Sequence, residues 1–522
     1  MSIAEKISRH SIMVGVVVLL SIFLFELTLT VRRTSITWDE DDHIYAGYMS
    51  LTRGDFGLNP EHPPLVKQLA AIPLLSLQLK MPALENREFK HEAFLGGKDF
   101  IFRNDAETIL FRARMAAALL TFLLAILVFL AGREMFGVEA AFIALTLLVF
   151  DPNVLAHGAV VGTDMGLTCF MFAAIFAFYR YVRFPSTKRP IVVGLATGLT
   201  LASKHTGILL IPMLVMLSAA ELFRKPENEQ KREPVGKRAG RLAIAFVAIS
   251  AIALTTLWAF YGFRYAARGA GLQLNPPFAQ SVHYLSRPHE VRLLETVAHY
   301  HLLPESYLDG LADVRIMSDF YTSYLFGKIY PHGVWYYFPA AFAIKSTLPF
   351  LFLLCLAVWM IASRRLTGTR EILFLTIPPA FHLFIAMSAG MNIGLRHILP
   401  MSISARAGSG GRLEDDRWEP ALGLCRRVVA CVAGGRDDTL LPGIHGVRER
   451  ALGRAVADVQ ISQRLQCGLG TAIEVDEGLS GASGDQGMLV RVLRRGPGEH
   501  ERLRHSLQAV ADDRITLVAG RD

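Results

Sequence analysis

Nine apolar segments, separated by polar or charged stretches, most strongly constrain how this 522-residue chain can fold. The first, at 11–31, is long enough to cross a bilayer and too long for a signal-peptide core, so we expect it to remain as a membrane anchor. The others lie at 111–132, 137–150, 164–182, 191–203, 206–222, 242–261, 338–362 and 371–388. With 52% hydrophobic residues overall, the chain is predicted to be all-α, a polytopic transmembrane helical bundle.

Basic residues predict the side of the membrane on which each loop lies. Lys6 and Arg9 precede the first span, so the N-terminus is expected in the cytoplasm. Alternation of the spans places the dense basic run 224–241 on the same side. The net charge of +8 therefore reports topology, and no nucleic acid is expected as a partner. The segments predicted outside are 33–110, 151–163, 264–337 and 389–397.

The two long outer loops, 33–110 and 264–337, complete the bundle predicted for residues 1–401. In the first loop, the stretch from Leu65 to Leu79 is expected to lie as a helix along the membrane interface. The five cysteines show no paired spacing, and the outer histidines lack the spacing to acids that zinc requires. Neither a disulfide framework nor a metal site is expected.

Composition changes abruptly after Met401. Residues 402–522 contain 17 Arg but no Phe, Tyr, Lys or Asn. A soluble Arg-rich domain is one interpretation, although a domain without Phe or Tyr would build a core with difficulty. We favour an out-of-frame tail, because codons compatible with three of its segments, read one base later, restore aromatic and lysine residues. On this interpretation 402–522 is not a native domain and packs poorly on the bundle.

Four consecutive carboxylates, at 39–42, follow the outer end of the first span. A carboxylate at a membrane face can act as a general base that accepts a proton from an attacking hydroxyl, and Asp39 and Glu40 are the candidates. His43 would share a face with them if this segment begins a helix. A solvated acidic loop is the alternative.

A set of cations falls on the same predicted side. His62 and Lys67 stand beside rigid prolines and could hold a phosphate at the headgroup level, although a turn followed by a snorkelling lysine would also explain them. Several cations at one depth, opposite an acidic cluster, suit an anionic headgroup, whereas each one singly could be an interfacial anchor. The further candidates at outer ends of spans are Lys204, Lys345, Arg396 and His397.

Asp164 begins an otherwise uncharged run, where an acid is costly without a partner. It could fix the loop that carries Asp39 or bind an acceptor, and helix capping by Thr163 or Asp164 is the alternative. The chain has no Walker-type phosphate loop and no strand–GxGxxG–helix unit. A soluble nucleotide donor is therefore not expected.

The order of these motifs resembles that of the dolichyl- or polyprenyl-phosphate-sugar-dependent glycosyltransferases, integral membrane enzymes of the GT-C fold. The most similar types are the protein mannosyltransferases (glycosyltransferase family 39) and the aminoarabinose transferases. Related enzymes often have Lys-Pro-Pro where this chain has His62-Pro63-Pro64. The resemblance covers about 35–400 and rests on the Asp-Glu pair, EHPPLVK, DPNVLAHG followed by Asp164, SKHTG, PESYLDG, WYYFPAAFAIKSTLP and NIGLRHILP.

The resemblance implies an inverting transfer of a sugar from a lipid phosphate to an acceptor, outside the cytoplasm, in a bacterial plasma membrane. Asp39 would be the catalytic base with Glu40 beside it, and Asp164 would be a second acid near the acceptor. The donor phosphate would be held by Lys67, Lys204, Arg396 and His397, to which the pattern of cations adds His62 and Lys345. The implied partners are the lipid bilayer, a polyprenyl-phosphate-sugar donor, and a protein, lipid or glycan acceptor; no cofactor is implied.

A transporter or flippase of an anionic lipid-linked substrate is the alternative function. A transporter should place ionisable groups at the midplane of the membrane and break its spans there with Gly or Pro. Here the charges gather at one face, which favours an outer-facing active site. A structural membrane subunit would need no alignment of acids with cations. The sequence therefore predicts that Asp39 lies close to Lys204 and Arg396.

Overall fold

The computed structural model describes residues 3–408 except 89, 225–232, 270 and 364–368. All of these belong to the first of the two units into which the chain divides, Met1–Gly468. Most of the predicted out-of-frame tail, from 409 onward, lies outside the described residues.

The regular secondary structure of the described residues is helical apart from one short hairpin, in which Tyr324 of β1 (Ser323–Leu325) pairs with Ile329 of β2 (Lys328–Tyr330). Four 3-10 turns, at Ile72–Leu74, His205–Leu209, Val282–Tyr284 and Leu395–Ile398, join helices. The helices are α1 Ile3–Arg33, α2 Glu40–Arg53, α3 Pro64–Ala71, α4 His91–Phe102, α5 Ala106–Phe136, α6 Val138–Val149, α7 Pro152–Gly158, α8 Thr163–Arg183, α9 Arg189–Ser203, α10 Leu210–Phe223, α11 Val235–Phe260, α12 Phe278–Ser281, α13 Pro288–His299, α14 Glu305–Phe320, α15 Tyr337–Lys345, α16 Leu348–Ala362, α17 Thr369–Ser388 and α18 Leu399–Gly408.

Within the described ranges, six helices are long and apolar enough to cross a membrane, and the bent pair of α6 and α7 gives a seventh if it counts as one span. The predicted all-α, polytopic transmembrane bundle is therefore confirmed, and the chain is a multi-pass integral membrane protein. The six are His10–Arg33, Ala106–Phe136, Thr163–Arg183, His205–Phe223, Val235–Phe260 and Thr369–Ser388.

All nine predicted apolar segments are helical, but three are not single long spans. The 137–150 segment is long enough to cross a membrane only if α7 is counted with it, and the two helices meet at a bend of 62°. The 191–203 segment forms the shorter helix α9 of 15 residues. The prediction of one span over 338–362 was wrong, because the backbone is extended at Ser346 and Thr347 and divides the segment into α15 and α16. Helix α16 restarts with a proline in its first turn, where no backbone N–H is needed.

Helix α9, which ends directly before Lys204, packs closely against α11. A Cβ atom added to Gly194 would lie 2.8 Å from Ile252, and one added to Gly198 would lie 2.5 Å from Thr256. Small residues four positions apart allow two helix backbones to approach this closely. The other face of α9 packs on α8, so α8, α9 and α11 form a continuous layer of the bundle.

Helices α2 and α3 form a tight pair between the first and second spans. A Cβ atom on Gly47 would lie 2.1 Å from the carbonyl oxygen of Lys67, so only glycine permits this contact. The predicted interfacial helix over 65–79 is shorter than expected, because it consists of α3 and one 3-10 turn. Leu65 and Val66 of α3 are buried in the protein.

Helix α18 continues past the predicted break at 402. Ser402, Ile403, Ser404 and Arg406 are all buried, so the expectation of poor packing fails for this first part of the tail. The guanidinium of Arg406 pairs with the buried carboxylate of Asp151 and lies over the ring of Phe350.

Candidate active site

An ion pair joins the beginning of α2 to the loop that follows α17. The Oδ2 atom of Asp39 lies 3.3 Å from Nη1 of Arg396, although the two residues are 357 positions apart. Asp39 precedes α2 without capping it through its side chain, so its carboxylate faces Arg396 instead. Gly394 has a φ of 113°, a left-handed conformation suited to glycine, and it turns the chain into the 3-10 turn that presents Arg396.

A second ion pair joins α8 to the end of α9. Nζ of Lys204 lies 2.5 Å from Oδ1 of Asp164, and the two side chains are only 11% and 9% exposed. Asp164 lies in the first turn of α8, where the helix dipole favours a negative charge. The capping alternative finds no support, because the N-cap position of α8 is Gly162 and makes no side-chain cap bond.

The two pairs belong to one group of interacting charges. Burial alone would lower the pKa of Arg396, but the negative charges of Asp164 and Asp39 raise it overall. Burial lowers the pKa of His397 well below its usual range, and the charge of Lys204 lowers it further. His397 was predicted as a cation, but here it is a neutral imidazole at neutral pH, beside two permanent cations.

Glu40 has a different environment from Asp39. Its carboxylate is 1% exposed and accepts from Arg114, with Nε 2.8 Å from Oε1 and Nη2 2.6 Å from Oε2. The backbone N–H groups of Val161 and Thr37 also donate to it. Arg114 further donates to the carbonyl oxygens of Val31, Thr34 and Ser35.

The sequence reasoning missed this role of Glu40. Glu40 and Arg114 together fix the connection from α1 to α2, which places the neighbouring Asp39. An arginine inside a predicted apolar span, at 111–132, was the available signal, because such a charge requires a buried partner.

His62 and Lys67 make contacts of their own, separate from the two ion pairs. The Nδ1 atom of His62 is 3.2 Å from the hydroxyl of Thr163, next to Asp164 in sequence. Nζ of Lys67 donates to the backbone oxygen of Asn59 at 2.6 Å and to its side-chain oxygen at 3.1 Å. Burial lowers the pKa of Lys67 to about 7. Lys67 therefore holds the loop before α3 and does not snorkel to a surface.

Lys345 lies at the end of α15. Its carbonyl oxygen accepts a hydrogen bond of 2.8 Å from Nδ2 of Asn153, in α7. This contact brings the half-buried Lys345 next to the segment that leads into α8 and Asp164.

A third charged group contains residues from three distant parts of the chain. Nζ of Lys90 lies 3.2 Å from Glu61 and 2.9 Å from Asp313. Burial raises the pKa of Asp42 well above its usual range, and the charges of Asp41 and Glu61 add to this effect. Lys90 and Asp313 were not predicted, because neither belongs to a recognisable motif and only the fold brings them together.

The PESYLDG motif, 304–310, acts mainly through packing. Oδ1 of Asp309 accepts a hydrogen bond of 2.7 Å from the hydroxyl of Ser281. A Cβ atom on Gly310 would lie 1.8 Å from the carbonyl oxygen of Pro60 and 2.4 Å from Nε2 of His205. The glycine thus lets α14 close over the loop that precedes α3.

The arrangement offers two carboxylates, two cations and a neutral imidazole in one group. An anion that entered between Arg396 and Lys204 would compete with Asp39 and Asp164 for these cations. Within the described ranges, no three or more His, Cys, Asp or Glu side chains are arranged to hold a metal ion.

A family model described as dolichyl-phosphate-mannose-protein mannosyltransferase matches residues 106–249. The matched segment runs from α5 into α11 and includes Arg114, Asp164 and Lys204. The match confirms the resemblance that the motifs indicated, and the chain is a membrane glycosyltransferase. No curated protein matches the sequence significantly.

Solved structures show more distant likenesses. ArnT from Cupriavidus metallidurans in the apo state has 16% identity and a TM-score of 0.49, covering 88% of this chain and 74% of that one. The S. cerevisiae protein O-mannosyltransferase Pmt1-Pmt2 complex has 18% identity and a TM-score of 0.35, covering 48% of this chain and 34% of that one. The Archaeoglobus fulgidus oligosaccharyltransferase has 15% identity and a TM-score of 0.43, covering 86% of this chain and 53% of that one. These TM-scores are too low for the likenesses to decide a function.

Proposed function

We propose that this membrane glycosyltransferase moves a sugar from a polyprenyl-phosphate donor to an acceptor hydroxyl, with Asp39 as general base. The observation that carries the proposal is the pairing of Asp39 with Arg396, in the same group of charges as Asp164 and Lys204. A base for the hydroxyl and cations for a phosphate are the two requirements of this reaction. The match to the dolichyl-phosphate-mannose-protein mannosyltransferase family model supports a lipid-phosphate donor.

The donor phosphate takes the place between Lys204 and Arg396. Negative charge grows on the phosphate as its bond to the sugar breaks, and fixed cations stabilise that charge most in the transition state. His397, neutral before binding, adds a hydrogen-bond donor whose protonation the arriving anion favours. Lys345 stands near the same end of α7 and adds a further positive charge.

The polyprenyl chain runs past a small apolar hollow that α8, α10, α17 and α18 line. Its lining includes Phe172, Met213 and the adjacent prolines 378 and 379 of α17, which interrupt that helix's hydrogen bonds. Nε2 of His382, also in the lining, lies 2.9 Å from the carbonyl oxygen of His397. This contact links the hollow to the proposed phosphate position.

The reaction is a single displacement. The acceptor oxygen attacks the anomeric carbon while its proton passes to Asp39, and the bond from that carbon to the phosphate oxygen breaks, which inverts the configuration and releases polyprenyl phosphate. Asp164 orients Lys204 through their ion pair, and Glu40 positions Asp39 through Arg114. His62 and Lys67 support the loop behind the site.

The site faces the extracytoplasmic side of a bacterial plasma membrane. Basic residues supported this orientation in the sequence. The fold agrees internally, because Arg370 at the start of α17 pairs with Glu221 of α10, whereas Arg396 follows the other end of α17. Arg370 and Glu221 fall at the predicted cytoplasmic end and Arg396 at the predicted outer end.

The purified full chain in nanodiscs, supplied with mannosyl-phosphoryl polyprenol and separate peptide, lipid and glycan acceptors, tests the function. We expect release of polyprenyl phosphate coupled to formation of an inverted glycoside with one acceptor class. Lys204→Met should lose this release, and Lys237→Met at the exposed start of α11 should keep it. Movement of the intact lipid-linked sugar across liposomes, without cleavage, would instead establish the flippase alternative.

A further inference from the structure

The hairpin of β1 and β2 carries a group of exposed apolar side chains. Tyr324 and Ile329 are paired across the two strands, and both side chains are exposed. Phe326, in the turn between the strands, is 67% exposed, and Trp335, shortly after β2, is 66% exposed. Large apolar side chains grouped on one exposed surface mark a place where the protein contacts a partner.

The turn of the hairpin has an unusual first residue. Phe326 and Gly327 are the two residues of the turn, and their φ angles are 51° and 77°. Two-residue hairpin turns with positive φ at both positions are normally Asn-Gly or Gly-Gly, because a bulky side chain is disfavoured at positive φ. The backbone is therefore strained at the residue whose aromatic ring lies exposed at the tip. Such an outlier points to a contact made by that ring.

The base of the hairpin is fixed near the end of a membrane-spanning helix. Oδ1 of Asn392 accepts hydrogen bonds from the hydroxyl of Ser323 at 3.2 Å and from the backbone N–H of Val334 at 2.7 Å. Asn392 is buried and lies in the loop that runs from the end of α17 to Arg396. Because α17 is long and apolar enough to cross a membrane, the hairpin starts close to the membrane surface.

The exposed group continues into an apolar surface of the following helices. The hydroxyl oxygen of Tyr330, in β2, lies 3.1 Å from that of Tyr336, the residue before α15. Further along, Ile344 of α15 and Leu348 and Phe352 of α16 are apolar and exposed. In an integral membrane protein such helix faces contact lipid, and Trp and Tyr are enriched where lipid meets water. This continuity favours lipid over a soluble partner as the occupant of the hairpin tip.

We propose that the tip of the hairpin inserts into the membrane leaflet on the side of Arg396. Strands of three residues extend about 10 Å, close to the depth of about 5–10 Å that interfacial segments reach in a bilayer. The ring of Phe326 enters the acyl chains next to the headgroups, and the exposed Lys328 keeps its ammonium group at the lipid phosphates. Through Asn392, this contact holds the loop that carries Arg396 at the level of the headgroups.

Fluorescence quenching tests the insertion in nanodiscs that hold one copy of the full chain, so that a second copy cannot supply the contact. The discs contain phosphatidylcholine and phosphatidylglycerol brominated on their acyl chains. We expect Phe326→Trp to add fluorescence that brominated lipid quenches and aqueous iodide does not. Trp335→Phe should remove part of the lipid quenching seen in the wild type. His289→Trp, on the exposed face of α13, is the control and should add fluorescence that iodide quenches instead. Quenching of the Phe326→Trp signal by iodide alone would overturn the proposal.

Phe326→Gly removes the ring while keeping the turn. Glycine is favoured at this φ, so the variant should unfold in detergent at a temperature no lower than that of the wild type. In the brominated discs, Phe326→Gly should also reduce the lipid quenching of the remaining tryptophans, because Trp335 is then less firmly held. Unchanged lipid quenching in this variant would contradict an anchoring role of the ring.

A consequence for the donor rests on the proposed function. For Phe326→Gly, KM for a long-chain polyprenyl donor in the bilayer should rise about threefold or more, whereas KM for a water-soluble short-chain donor should not change. A rise in KM for the acceptor alone would assign the tip to the acceptor and overturn the proposal. If the wild type transfers no sugar, the proposed function fails, and the quenching result still decides whether the tip inserts.

Discussion

Arg114 of α5 and Glu40 of α2 form a two-point ion pair in which the side chains are only 2% and 1% exposed. The pair spans 74 positions of sequence and connects the second membrane span to α2. Because Asp39 directly precedes Glu40, this contact determines where the proposed base stands. Its loss should also destabilise the fold strongly.

Breaking this pair from one side should be more damaging than removing both partners. Glu40→Gln or Arg114→Met leaves a buried charge uncompensated, and we expect a loss of about 3–5 kcal/mol of stability. The double variant should recover part of the loss, because neither charge then remains buried. Thermal unfolding in detergent measures this, and equal losses for the double variant and the sum of the single variants would contradict the coupling.

Arg396 should matter for turnover more than for folding. Arg396→Ala removes a cation from the proposed phosphate position, and we expect kcat to fall by about 10²–10³-fold. Arg396→Lys keeps the charge and should retain more activity than Arg396→Ala. Arg292→Ala, on the exposed face of α13, is the matched control and should leave kcat unchanged. Equal rates for Arg396→Ala and the control would exclude Arg396 from the reaction.

His397 should couple phosphate binding to proton uptake. Its pKa lies well below the usual range because of burial and the nearby Lys204, and a bound anion would raise that pKa. Binding should therefore take up a proton at His397, and affinity for polyprenyl phosphate should be favoured as the pH falls. Comparison of Kd at about pH 5.5 and about pH 7.5 should show a larger gain for wild type than for His397→Gln. Because the phosphate titrates in both proteins, only the difference between their pH dependences reports on His397. Identical pH dependence of Kd in the two proteins would argue against a contact between His397 and the phosphate.

The ion pairs of Glu221 lie at the opposite end of α17 from Arg396, and they should stabilise the protein without taking part in the reaction. Glu221 of α10 accepts from Arg370 of α17 at 2.7 Å and from Arg224 at 3.1 Å. Arg370→Met should cost about 2 kcal/mol, the scale for hydrogen bonds to charged groups. Arg103→Met removes an exposed pair with Asp99 and should cost less than about 1 kcal/mol. Similar unfolding temperatures for the two variants would contradict a stabilising role of the Arg370–Glu221 pair.

Sequence reasoning worked best where one physical rule dominated. Apolar length predicted the membrane helices, and alternation of the loops predicted that Asp39 and Arg396 would lie on the same side. It failed at Ser346, where the extended backbone interrupts the predicted span, although Lys345, Ser346 and Thr347 already form a polar break in the sequence. It also extended the interfacial helix after Pro64 too far, because burial beneath α2 depends on a tertiary contact at Gly47.

The chemical roles were harder to predict than the positions. Glu40 and Asp39 are adjacent in sequence, yet one is enclosed by Arg114 and the other faces Arg396. The ring of His43 bonds to the carbonyl oxygen of Val161, which lies 118 positions away. Such assignments depend on which groups the fold brings within hydrogen-bond distance, and periodicity and composition carry no information about that.

The central claim is that Asp39 removes the acceptor proton next to a site that binds the donor phosphate. The most direct test measures, in one nanodisc preparation, both sugar transfer and polyprenyl phosphate binding by Asp39→Asn, with Asp99→Asn on α4 as the control. We predict that Asp39→Asn loses transfer by about 10²–10⁴-fold, while its binding of polyprenyl phosphate is at least as tight as that of the wild type because the phosphate no longer competes with a carboxylate for Arg396. Transfer at the wild-type rate by Asp39→Asn would contradict the account.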